Sequence, residues 1–321
     1  MPNEAANRWT GVATIVLTLV GWSSIPLFLR YFVEFIDPWT ANGWRYALSA
    51  FLWLPVLVWA YARHRVPNGL WRAALVPSLF NAGGQICFGW GPYLIDPGLM
   101  TFGLRLQIVF VAIGAAALFA VERDLLKRPL FLGGLCVVAL GTLATVALKP
   151  GGFEAKSTLG VGIAIASGLL YACYALSVRK YMHSMKPVVA FAAVSQYTSV
   201  VLVALMLVFA PRFGADVTTL SSFQLVMLAL SSIIGIGLGH TLYFISLSRL
   251  GVAVSSGVVQ LQPLIVSVFS MFLFNEVIAP LQWVTGSIAV TGAAVMLVAQ
   301  HRWAMARAAR APAPVSTADR A

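Results

Sequence analysis

Two arginines stand where charge is costly. Arg45 and Arg105 are the Lys and Arg residues that fall well inside long apolar stretches of this chain. A guanidinium near the middle of a bilayer costs about 2.5–3.5 kcal/mol on insertion scales, so one that is retained is a functional candidate. Its forked donors match a carboxylate or a phosphate bidentately. Arg105 is the deeper of the two, with Thr101 four residues before it and Ala112 seven after. Arg45 lies a turn or two from the end of its stretch, so it either serves a ligand or snorkels to the surface. The other candidates are neutral. Ser256, Gln260, Pro263, Ser267 and Ser270 follow i, i+4, i+7, i+11, i+14, which is one face of a helix, and Gln262 sits beside that face. Within a continuous helix, Pro263 would free the Val259 carbonyl. Pro77, Asn81, Gln85, Phe88 and Pro92 repeat the theme, and Gln196 is a further amide of the kind. Such amides line water or bind helix to helix. Trp22 and Tyr171, with Tyr174 close behind, offer aromatic walls to an amphipathic organic substrate or simply pack. His240 titrates near neutral pH when unperturbed. It has no acidic neighbour in its stretch, so Ser/His/Asp catalysis fails.

The elements that must hold these residues are membrane helices. The chain has 321 residues, 60% hydrophobic and 10% charged, with mean hydropathy +0.87. A soluble domain carries roughly 25% charged residues. Leu104–Glu122 and Val258–Glu276 are nineteen-residue apolar runs, each stopping on a glutamate and 154 positions apart. About 20 residues at ~1.5 Å rise cover a ~30 Å hydrocarbon core. Ten such spans are expected, at 10–29, 40–61, 70–92, 98–121, 129–148, 159–178, 188–209, 222–247, 252–275 and 280–299. Cys87, Cys136 and Cys173 all lie inside them and read as small buried hydrophobes without metal-ligand spacing. Gly235, Gly237 and Gly239 imitate a phosphate loop, yet no strand precedes them. Ser231, Gly235 and Gly239 read better as a packing seam.

A second register confirms the duplication. Gly11-Val12, Trp22, Arg30 and Pro38 have counterparts in Gly160-Val161, Tyr171, Arg179 and Pro187 at an offset of 149. Residues 1–150 form one five-helix repeat and 151–300 the other. Five is odd, so the repeats are inverted. The tail, 301–321, is basic, Ala/Pro-rich and expected to be disordered and cytoplasmic. With the N-terminus inside, fifteen Lys and Arg fall in cytoplasmic segments and four in outer ones. That excess places both termini in the cytoplasm of a multi-pass inner-membrane protein. The net charge of +11 is spread over these short loops and gives no reason to expect nucleic acid.

The run Arg45-Tyr46-Ala47-Leu48-Ser49-Ala50, the glutamates closing the fourth and ninth spans, and Gly286 and Gly292 in the span that follows carry a resemblance. The chain resembles the drug/metabolite transporter superfamily, each half resembling an EamA unit. Val109 stands where the second half has Pro263. The resemblance implies carriers of amino acids, sugars, nucleotide-linked metabolites or drugs, with a central cavity and with the fifth and tenth spans peripheral.

These observations make the chain an all-α integral membrane protein of ten helices in two inverted repeats, and not an enzyme. The expected function is secondary transport, as exporter or facilitator, of amino acids or organic anions by alternating access. Its partners are a small-molecule substrate and the bilayer, as a monomer or homodimer without a cofactor. The alternatives are efflux of lipophilic cations, which calls for a cavity carboxylate that the spans lack, and a membrane transferase acting on lipid-linked substrates.

Overall fold

Proline and aspartate start the helices of this chain. Pro38, Pro97, Pro129 and Pro187 each occupy a first-turn position, where the fixed φ suits a helix and the missing N–H is not needed. Asp37 caps α2, its Oδ1 accepting from the amides of Trp39 and Thr40 at 2.9 and 3.1 Å. The computed structural model describes residues 2–149 and 154–310, and every regular element among them is helical. In order these are α1 (Pro2–Phe32), α2 (Pro38–Ala62), α3 (Leu70–Leu94), α4 (Pro97–Arg105), α5 (Gln107–Leu118), α6 (Arg123–Leu126), α7 (Pro129–Ala147), α8 (Ala155–Tyr181), α9 (Pro187–Phe209), α10 (Ser222–Ser232), α11 (Gly239–Leu250), α12 (Val252–Val259), α13 (Gln262–Phe274) and α14 (Pro280–Arg310).

Nine helical stretches among the described residues are long and apolar enough to cross a membrane. α3 is as long as α2, at 25 residues, but falls outside those nine.

Three spans are interrupted where unbroken helices are expected. The fourth breaks at Leu106 between α4 and α5, and the ninth at Gln260-Leu261 between α12 and α13. The eighth is α10 and α11 joined by a π-helical turn, Ile233–Leu238. The proposed single face from Ser256 to Ser270 is therefore divided between two helices. Pro263 sits in the first turn of α13 instead of kinking a continuous helix. The fourth span also ends early, at Leu118, and Glu122 closes a short 3-10 turn. The tail departs from expectation as well, since α14 carries residues 301–310 as helix. Residues 311–321 lie outside the described residues.

Packing obeys the exchange of halves. α1 lies on α11 as α8 lies on α3, while α2 pairs with α9, α7 with α14 and α4 with α13. α1 also touches α12 and α13, as α8 touches α4 and α5. The exchange fails in one place. α4 packs on α13, but the counterpart pair, α5 with α12, packs far less among the described residues. By this packing the end bearing Glu276, where α4 meets α13, is the closed one, and the end bearing Glu122, where α5 and α12 pack less and the Glu122–Arg179 pair links the halves, is the parted one.

Without a hydrophobic force between helices in lipid, close backbone approach does the holding. Along α7 and α14 a Cβ added at Gly134 would stand 2.9 Å from both the Gly292 carbonyl and the Met296 amide. Gly133 has nothing within 4 Å. Gly134→Val is therefore expected to cost about 1–3 kcal/mol by overpacking and to lower the melting temperature in detergent. Gly133→Val should melt with the wild type. Equal melting of the two variants would contradict this seam.

Candidate functional site

Each break places a polar residue at the same depth of its span. Arg105 is the last residue of α4, and Gln260 and Gln262 flank the break before α13. The Arg105 Nε is buried and has no hydrogen-bond partner. The ion pairs among the described residues are Lys127–Asp124, Arg179–Glu122 and Arg212–Asp216, so no carboxylate compensates Arg105. Gly168 of α8 lets the break pack closely, since a Cβ there would lie 2.7 Å from the Leu104 carbonyl.

Around Arg105 the structure gathers several of the expected residues. Tyr243 of α11 lies within its electrostatic reach and shares a 2.9 Å hydrogen bond with Ser256 of α12. The Tyr243 ring is 5.1 Å from Trp22, and Trp22 is 5.3 Å from His240. The indole of Trp22 donates to the Gly235 carbonyl at 3.2 Å, inside the π-turn. Gln262 donates to the Trp22 carbonyl at 2.8 Å. His240 stacks 4.0 Å from Phe191. The result is one continuous set: a cation at a helix break, two aromatic rings, an imidazole and an amide, drawn from α1, α4, α11 and α13. Gln260 lies half-buried at the second break.

Other candidates are placed elsewhere. Arg45 is 2% exposed, and its Nε donates to Ser231 Oγ at 3.0 Å and its Nη1 to Asn42 Oδ1 at 3.2 Å. It reaches neither solvent nor surface, so snorkelling is excluded. Asn81 donates to Thr198 at 2.9 Å and Gln196 to the Ala50 carbonyl at 3.0 Å. Both amides join α9 to the first half. The carbonyl of Gln85 accepts from Asn42 at 2.7 Å. Tyr171 rests edge-on to Phe88 at 6.4 Å, on the α3–α8 seam beside Gly84. Tyr174 packs against the core formed by α2 and α9. The small-residue seam also has a clear role, because Gly235 faces Ile25 and the Arg45 guanidinium.

Tyr243 is the residue that sequence reasoning passed over. Its signal was its place three residues after His240, on the same helical face.

At the closed end a cavity of about 250 Å³ is lined by Asp96, Lys149, Ser267, Glu276 and Gln282 among others. Glu276 accepts there from the amides of Gly98 and Leu99. Burial holds its carboxyl above the usual carboxylate range; Asp96 adds to the shift and the two amides oppose it.

Comparison with known proteins agrees with this architecture. Comparison with curated proteins gives no match. A solved structure described only as "Crystal structure of protein" superposes with a TM-score of 0.61 at 17% identity, covering 93% of this chain and 99% of that one. That likeness concerns the fold. The profile of the EamA-like transporter family matches residues 9–147 and again 158–298, two copies that coincide with the two halves seen in the packing. The chain belongs to the EamA-like transporter family and is a multi-pass membrane transporter of the drug/metabolite type.

Proposed function

We propose that this transporter moves small organic anions or zwitterions, amino acids among them, through a central site at the two helix breaks. The observation that carries the reading is the orphaned Nε of Arg105. A buried donor without a partner costs about 1–3 kcal/mol, more when charged, so a ligand oxygen that meets it recovers that cost. Trp22 and Tyr243 supply aromatic faces for the rest of the molecule, Gln260 supplies an amide, and Gln262 holds the Trp22 carbonyl beside it. In this reading Arg45, Asn81 and Gln196 hold helices together, and the substrate does not touch them. α3 counts as a tenth span, because it lies along α8 and is 25 residues long. The loop charges put both termini in the cytoplasm of the inner membrane. The parted end then faces inward, as suits a carrier that loads from the cytoplasm. Rocking of the halves about the breaks would expose the site alternately to each side.

Counterflow in proteoliposomes tests the substrate class. Vesicles loaded with amino acids, organic acids or cationic dyes are expected to exchange the first two classes. Exchange confined to cationic dyes would overturn the reading and favour drug efflux. Arg105→Ala is expected to abolish exchange of the anionic substrate while leaving membrane insertion intact, and Arg105→Lys to restore only part of it, having the charge without the fork. Unchanged exchange in Arg105→Ala would remove the electrostatic argument.

The division between site and glue has its own test. Gln260→Ala should weaken apparent affinity at unchanged expression. Asn81→Ala and Gln196→Ala should instead cost about 0.5–1.5 kcal/mol of stability in a melt, at unchanged affinity. The reverse pattern would exchange their roles.

A further inference from the structure

Glu276 is joined to the opposite half of the molecule. It is 7% exposed, and its Oε2 and Oε1 accept from the amides of Gly98 and Leu99 at 3.0 and 3.2 Å. Those amides open α4, the positive end of that helix. A Cβ at position 98 would stand 2.7 and 2.8 Å from the two carboxylate oxygens and 2.6 Å from Ser267 Oγ, so the carboxylate occupies the place of a side chain. The end of one broken span is thereby tied to the start of the other.

The repeat relation fixes what the opposite end should contain. The 154-residue offset carries Glu276 onto Glu122, and Gly98-Leu99 onto Val252-Ala253 at the start of α12. α12 opens after Gly251, at φ 81, a residue with no side chain of its own to cap with. Glu122, however, is elsewhere. It pairs with Nη2 of Arg179 at 2.7 Å, and that guanidinium lies over the Phe119 ring at 4.2 Å. The 149-residue offset carries Arg179 onto Arg30. Arg30 is occupied with the Pro92 carbonyl at 3.1 Å, and Glu276 ignores it. So at the closed end the glutamate is on the helix start and the arginine is left to a carbonyl. At the parted end the glutamate is on the arginine.

We infer that the two glutamates form an exchange latch, each moving between an arginine and a helix start of the opposite half. In the state described, Glu276 latches α4 and Glu122 is parked on Arg179. In the alternate state Glu122 latches the amides of Val252 and Ala253, and Glu276 is parked on Arg30. The device uses the same groups twice, which is what an inverted repeat requires. It rests on the carrier reading above, but its readout needs no substrate, so its failure is distinguishable from a failed counterflow experiment.

The test is a distance measurement across the parted end. Cys87, Cys136 and Cys173 are replaced, and spin labels are placed on Val121→Cys and Val254→Cys, both exposed positions. Pulsed electron resonance in proteoliposomes then reads the ratio of short to long distances. Arg179→Ala removes the parking partner of Glu122 and is expected to raise that ratio about two- to fivefold, the range of a partly exposed ion pair. Arg30→Ala removes the parking partner of Glu276 and is expected to lower it. Adding Glu122→Gln to Arg179→Ala should return the ratio towards wild type. Shifts of the same sign in the two arginine variants, or no shift in Arg179→Ala, or an undiminished shift in the double variant, would overturn the latch. Opposite signs are not produced by general loss of stability.

Discussion

A helix interrupted inside hydrocarbon must still satisfy its backbone, because no water is there to do it. Everything of functional interest in this protein hangs on how two interruptions meet that demand. At the first, the Leu106 amide bonds to the Gly103 carbonyl at 3.3 Å and that of Val109 to Leu106 at 2.9 Å. At the second, Gln260 bonds to Gly257 and Leu261 to Val258, both at 3.1 Å. These are tightened three-residue turns. The amides stay paired, and the chain changes direction at a place where each span then presents a polar side chain. One break has a proline behind it and the other does not, yet both fall at the same register.

Polar residues in such a bundle divide by what answers them. Asn81, Gln196 and Arg45 meet carbonyls or hydroxyls of another helix, so their burial is compensated within the fold and works as adhesion. Arg105 keeps a buried donor unanswered. A stable protein carries few such groups, and this one stands beside a helix break, which is the observation the proposed substrate site rests on.

The architecture was legible because it is written twice. Length and apolarity of the runs marked the spans, of which nine among the described residues are long and apolar enough to cross a membrane, and the 149- and 154-residue offsets marked the two repeats. The breaks were not legible. Leu104–Glu122 is uniformly apolar, and Pro263 read as a kink within a helix when it opens one. Arg45 and Arg105 differed in sequence only in depth, and both stood as site candidates. What separates them is a serine 186 residues downstream, a relation that no local pattern carries. The seam of Ser231 and Gly235 was seen as packing, though not that it packs on a guanidinium. Glu122 and Glu276 were noticed as the ends of spans, while their partners depend on which side of the bundle is closed.

The burial of Arg45 bears on how the chain is made. Ribosomal synthesis delivers α2 to the membrane long before α10 exists, and until then the guanidinium has Asn42 on its own helix and no hydroxyl from the second half. A span in that condition holds its charge near the interface and settles only when Ser231 arrives. The hydrogen bonding of Arg45 is therefore complete only once the second half of the chain is in place.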